Sequence, residues 1–193
     1  MNFYKLTDLR AELDTCVPPL DDTTCYFVTR SADYRYDGER KVLIGDYIHE
    51  GDMYSKNTWR AGYLAIVQGR AEIGIGRGPA MRDYIQQHGG SMFRQFALVS
   101  AGVKCISQYV LKGKVTRCAY ARMPNGELYY VETRYPETLY GFSDALVEYG
   151  CVDAVYVTGG SQPDQFYRDD KGIRHGDFVD DKNHTMVVWR NNW

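Results

Sequence analysis

The sequence predicts an α+β fold, a mixed and largely antiparallel sheet with a few helices packed on it. Three observations predict it. Short β-branched and aromatic runs recur between turn signals. Two segments carry apolar residues at helical spacing and stop at glycine. The order hairpin, helix, strand in the second half of the chain marks a crossover, so a parallel pair is expected within the sheet.

In chain order, residues 2–14 carry Phe3, Leu6, Leu9 and Leu13, which suits a short amphipathic helix ended by Pro18-Pro19. Residues 24–30 (TCYFVTR) and 41–48 (KVLIGDYI) read as strands, the second preceded by an Asp37-Gly38 turn. Residues 62–68 and 71–75 form a hairpin about Gly69-Arg70. Residues 81–88 make a helix stopped by Gly89-Gly90. Residues 96–99 are a buried strand, and 105–111 a strand or a short helix. Residues 115–122 and 128–133 pair through the turn Pro124-Asn125-Gly126-Glu127. Residues 138–149 form a helix with Gly150 beyond its end, followed by the strand 152–158 and, last, the strand 185–189.

The chain of 193 residues is sized for a single domain, 1–193, able to bury roughly 70% of its unfolded surface. A net charge of -2 argues against a nucleic-acid partner, which usually meets a basic face. No run of about 18 apolar residues exists, so no membrane span is expected. Met1-Asn2-Phe3-Tyr4-Lys5 is too polar for a secretory signal, which points to the cytoplasm unless a leader has been removed. Five cysteines without C-x-x-C spacing exclude a zinc or thioredoxin motif. Cys105, Cys118 and Cys151 lie in apolar runs and read as buried; Cys16 and Cys25 flank Pro18-Pro19 and are close enough in sequence to pair. Gly74-x-Gly76-x-Gly78-Pro79 lacks both phosphate-loop and dinucleotide spacing and reads as a strand-ending turn.

The run Thr116-Arg117-Cys118-Ala119-Tyr120, the turn at Asn125-Gly126, the helix opening at Thr138-Leu139 and the run 153–161 (DAVYVTGGS) occur in one order. Upstream, residues 93–99 (FRQFALV) with Gly102, and the hairpin from Gly62, extend it. This series resembles the phosphodiester glycosidase domain, the N-acetylglucosamine-1-phosphodiester alpha-N-acetylglucosaminidase-like family, over residues 60–193. The resemblance implies hydrolysis of a sugar-phosphate or glycosidic linkage and a small-molecule or glycan substrate; no cofactor and no metal site is expected from the residues. The resemblance also implies catalytic roles at Arg117 and Thr158 and substrate contacts at Gly159, Gly160, Ser161 and Gln162; Asp164, the first carboxylate after that turn, is the candidate for proton transfer, with a loop-capping role as its alternative. Arg117 would hold an anionic group bidentately. The family's Asp before the double glycine is Thr158 here, and a threonine hydroxyl is a poor acid or base at neutral pH. The fold can therefore be kept with the reaction altered or lost, leaving a carbohydrate- or anion-binding module in which Tyr156 and Tyr167 stack on a glycan, or a scaffold. Glycoside hydrolysis needs two carboxyl groups, and Asp164, Asp169 and Asp170 are the nearest after the turn; His184 is a weaker base candidate.

Overall fold

The computed structural model describes residues 1–19, 21–57, 59–160, 165–177 and 185–191. Eighteen strands and two helices are placed in these residues. The strands are β1 (Asn2–Lys5), β2 (Arg10–Asp14), β3 (Cys25–Arg30), β4 (Tyr34–Asp37), β5 (Arg40–Leu43), β6 (Tyr47–His49), β7 (Asp52–Ser55), β8 (Gly62–Val67) and β9 (Arg70–Ile75). After α1 (Ala80–Gln87) come β10 (Ser91–Gln95), β11 (Ala97–Ser100), β12 (Val103–Lys104), β13 (Thr116–Arg122) and β14 (Leu128–Glu132). After α2 (Leu139–Glu148) come β15 (Asp153–Gly160), β16 (Gln165–Arg168), β17 (Arg174–Asp177) and β18 (Met186–Arg190).

Three sheets enclose one core. Their orders are β1-β14-β13-β15-β11-β12, β7-β6-β10-β8-β9 and β17-β16-β3-β18-β2, with β4-β5 as a separate hairpin. Alternate residues of each sheet point inward: Cys118, Tyr120 and Val155 from the first, Leu64 and Phe93 from the second, Phe27, Val187 and Trp189 from the third. The outer face of the first sheet is covered by α2, whose Leu139, Phe142, Ser143 and Leu146 recur at i, i+3, i+4, i+7 and are buried. The α2 helix starts where the Thr138 hydroxyl accepts the Gly141 N–H at 3.0 Å, and stops at Gly150, whose φ of +86° suits glycine. The α1 helix buries Ile85 against Ile48, Ala65 and Met92 on the outer face of the second sheet.

Among the described residues 48% are strand and 10% helix, so the fold is β-rich rather than a balanced α+β. Every strand pairing described is antiparallel, including β13 with β15. The crossover through α2 does not create a parallel pair, because β15 lands on the far side of β13 from β14. The helix expected over residues 2–14 is instead two strands. Ala11 and Leu13 alternate inward on β2, and β1 and β2 pair with β14 and β18, so partners distant in sequence override a weak helical spacing. The strand expected over 41–48 breaks at Gly45, where φ is +91° and a Cβ would lie 2.9 Å from Cβ of Arg94. The hairpin of β8 and β9 turns one residue earlier than expected, on Gln68-Gly69, with φ positive at both. Residues 105–111 are neither strand nor helix, and β4, β7, β10, β12, β16 and β17 form where the sequence predicts no strand. Cys105 is exposed, not buried, and Cys16 and Cys25 are free thiols. No helix among the described residues is long and apolar enough to cross a membrane.

Candidate functional site

Strands of all three sheets end together at one end of the core, and the side chains there are polar. Gln95 closes β10 and is fully buried. Its Nε2 donates to the Ser31 carbonyl, just past β3, and to the Thr158 hydroxyl near the end of β15, both at 3.3 Å. The Thr158 hydroxyl in turn donates to the Asp33 carboxylate. Arg60, which leads into β8, donates to the other Asp33 oxygen and to the Gln95 amide oxygen. Its guanidinium also lies 4.4 Å from the Phe96 ring centre, so one face is stacked while the edge hydrogen-bonds. Asp33 and Arg60 keep 17% and 10% of their side-chain surface exposed, so the pair can be reached from solvent.

The segment that delivers Arg60 is held by a buried ion pair beneath it. Arg94 and Asp46 are both fully buried, with Nε to Oδ2 at 2.6 Å. Arg94 also donates to the carbonyls of Arg60, Gly76 and Gly78. The other Asp46 oxygen accepts the Asn57 N–H at 2.8 Å. The Gly74-to-Pro79 run is thus a strand-ending turn, as its spacing suggested, with its carbonyls held by an arginine. A guanidinium has five donors, and this arrangement uses them on one carboxylate and several loop carbonyls.

The residues expected at the site divide. Thr158 joins the cluster. Gly159 and Gly160 are the last residues of β15, Gly160 opposite Thr116, rather than a turn after the strand. Arg117 is 3% exposed. Its guanidinium donates to the carbonyls of Leu111 (2.9 Å), Gly113 and Glu137 (3.0 Å) and to the Tyr156 hydroxyl (3.3 Å). It faces the α2 side of the sheet with Tyr156, whereas Thr158 meets Asp33 and Gln95; the structure does not bring the two side chains together. Tyr156 is 3% exposed and packs with Phe96, which leaves no face for a glycan. Tyr167 stacks on His175 and packs at a tilt against Tyr4. Asp169 caps the β16–β17 turn by accepting the N–H groups of Lys171 and Ile173, and the hydrogen bond from His175 lowers its carboxyl pKa. Ser161, Gln162, Asp164 and His184 lie outside the described residues.

Asp33, Arg60 and the Arg94–Asp46 pair escaped sequence reasoning because their partners lie far along the chain, 27 residues from Asp33 to Arg60, 35 from Arg60 to Gln95, 48 from Asp46 to Arg94 and 125 from Asp33 to Thr158, and nothing local marks them. Gln95 carried a signal, since it sits in the run that contributed to the family resemblance. The three buried thiols are unsuited to nucleophilic roles: burial pushes Cys118 up to about 12 and Cys25 and Cys151 up to about 11. Among the described residues no group of three metal-ligating side chains occurs.

No family model matches the chain, and no curated protein matches it. Solved structures do. The zebrafish N-acetylglucosamine-1-phosphodiester alpha-N-acetylglucosaminidase catalytic domain, auto-inhibited by its pro-peptide, superposes with a TM-score of 0.61 at 12% identity, over 86% of this chain. This chain shares that fold at a distance. It spans 64% of the length of that domain. A hypothetical protein from Synechocystis matches at a TM-score of 0.44 and 14% identity, over 97% of this chain and 35% of that one.

Proposed function

We propose that the chain hydrolyses a sugar-phosphate or other glycosidic linkage, with the Asp33, Arg60, Gln95 and Thr158 cluster as its reaction centre. The observation that carries this reading is a solvent-reachable carboxylate, Asp33, fixed by Arg60 and by the Thr158 hydroxyl. A carboxylate pinned from both sides presents a defined lone pair to a water or a sugar hydroxyl, the geometry that general-base or nucleophilic chemistry needs. The reading keeps Thr158 at the centre as a hydroxyl that orients Asp33, and leaves the second carboxyl group to Asp164, which follows β15 in sequence. Arg117 serves by fixing the 111–113 segment beside the strand. The likeness in fold to a phosphodiester glycosidase domain supports the choice of substrate class.

The test is turnover of an aryl N-acetyl-α-glucosaminide and of an N-acetylglucosamine-1-phosphodiester, by the wild type and by Asp33→Asn. Loss of a positioned acid–base group removes about 10²–10⁴-fold in rate. Wild-type turnover that Asp33→Asn leaves unchanged, or no turnover at all, sinks the reading. A second reading, a binding module without chemistry, is favoured by one observation: the residue before the double glycine is a threonine, which cannot ionise there. Calorimetric sugar binding without product distinguishes it.

A further inference from the structure

Beside the cluster, the β4–β5 hairpin and the segment after β7 enclose a cleft of about 160 Å³. It is joined to the cluster through two pieces of backbone. Asp33 and Arg35 lie two residues apart, and the Asp33 carbonyl accepts the N–H of Ile44, a wall of the cleft, at 2.8 Å. On the other side Trp59 immediately precedes Arg60, and its N–H donates to the Asn57 side chain at 2.9 Å. The cleft is lined by Arg35, Val42, Ser55, Lys56, Asn57 and Trp59 among others, and no acidic side chain lines it.

Charge balance separates the two places. In the cluster the Arg60 cation is matched by Asp33, and beneath it Arg94 is matched by Asp46. A ligand's negative charge finds no unmatched cation there. In the cleft, Arg35 and Lys56 are exposed, and neither is paired among the described residues. Trp59 keeps 70% of its surface exposed, and an indole left open beside two cations offers a flat apolar face to a ring. A volume near 160 Å³ is about five times a water's share of the liquid, and below the 300 Å³ or more of a whole-ligand pocket. It suits one phosphate-sized group of a larger molecule.

We propose that this cleft is the anion subsite of the molecule, holding the phosphate of a sugar phosphate between Arg35 and Lys56, with Trp59 against the sugar. The proposal rests on the reading of the neighbouring cluster as a carbohydrate site. It divides labour: a charge-neutral centre meets the sugar linkage, and the cations alongside select ligands that carry phosphate.

Binding is measured by calorimetry and by Trp59 fluorescence, using α-D-glucose 1-phosphate, inorganic phosphate and neutral methyl α-D-glucoside. The proteins are the wild type, the double variant Arg35→Gln/Lys56→Gln, and Trp59→Phe. Both charge changes are on exposed side chains, so the fold is retained, and circular dichroism verifies it. The wild type is expected to bind the sugar phosphate at least about tenfold more tightly than the neutral sugar, with the preference falling as salt rises. The double variant is expected to lose that preference and keep its affinity for the neutral sugar, and Trp59→Phe to lose the fluorescence response. Equal affinity for the two sugars in the wild type, or a preference that survives in the double variant, overturns the subsite. Hydrolysis is scored separately. Phosphate selectivity without turnover removes the hydrolase and leaves the subsite standing, and turnover without phosphate selectivity does the reverse.

Discussion

Replacing Arg94 by methionine removes one half of an ion pair that has no access to water. Both side chains are fully buried, and the Nε to Oδ2 distance is 2.6 Å. Methionine reproduces the aliphatic stem but ends where Nε stands, so the guanidinium carbon and its two terminal nitrogens are lost, and the main cost is the charge left unpaired on Asp46. Four groups lose this donor: the Asp46 carboxylate and the carbonyls of Arg60, Gly76 and Gly78. Removing one partner of a buried pair costs about 3–5 kcal/mol. Two contacts soften it, the Asn57 N–H at 2.8 Å and Arg82 at 3.8 Å from the other Asp46 oxygen, which places the expected loss near the lower end, about 3 kcal/mol. For a chain of 150–250 residues each kcal/mol moves Tm by roughly 2–4 °C, so a fall of about 6–12 °C is expected. The assay is thermal and urea unfolding followed by circular dichroism, with an unchanged m-value as the sign that only stability has moved. Asp46→Leu combined with Arg94→Met is expected to recover part of the loss, because the uncompensated charge is gone. A fall of less than about 1 kcal/mol in the single variant, or a double variant that loses the sum of both, refutes the reasoning.

Two further outcomes are expected. Thr138→Ala removes the side-chain acceptor at the start of α2 and lowers stability by about 1 kcal/mol, while Thr138→Ser restores it; equal stability of the three proteins in urea contradicts the capping geometry. The Thr24 hydroxyl and Arg190 hold the Asp22 carboxyl down at about 2. A folded-state value below the unfolded one means stability that is present above about pH 4 and is lost as pH falls through about 2. Asp22→Asn is therefore expected to flatten the acid limb of the stability curve between those values, and an acid limb identical to that of the wild type rules the linkage out.

The legible parts of the sequence were those whose cause is local. The helix over 138–149 and the hairpin of 115–133 could be placed because an apolar stripe, a capping threonine and turn glycines act within a few residues of one another. The two strands at the N-terminus could not, since Phe3, Leu6, Leu9 and Leu13 satisfy a helical spacing as well as a strand and turn. What decided between them was the pairing of β1 with β14 and of β2 with β18, more than 120 residues away along the chain. Arg117 was legible as special and misleading as to why. A buried arginine marks a place that needs many donors, and here the acceptors are carbonyls of its own chain.

By itself the sequence determined the hairpin, helix and strand of the second half, the position of its one well-capped helix, and a motif order that resembles a phosphodiester glycosidase domain. Only the tertiary structure decided that Asp33, Arg60, Gln95 and Thr158 meet, and that Arg94 and Asp46 close beneath them. The reason is physical. Periodicity and turn chemistry act between near neighbours, whereas a polar cluster is assembled where strands of three different sheets happen to end, and no local pattern records which ends those are.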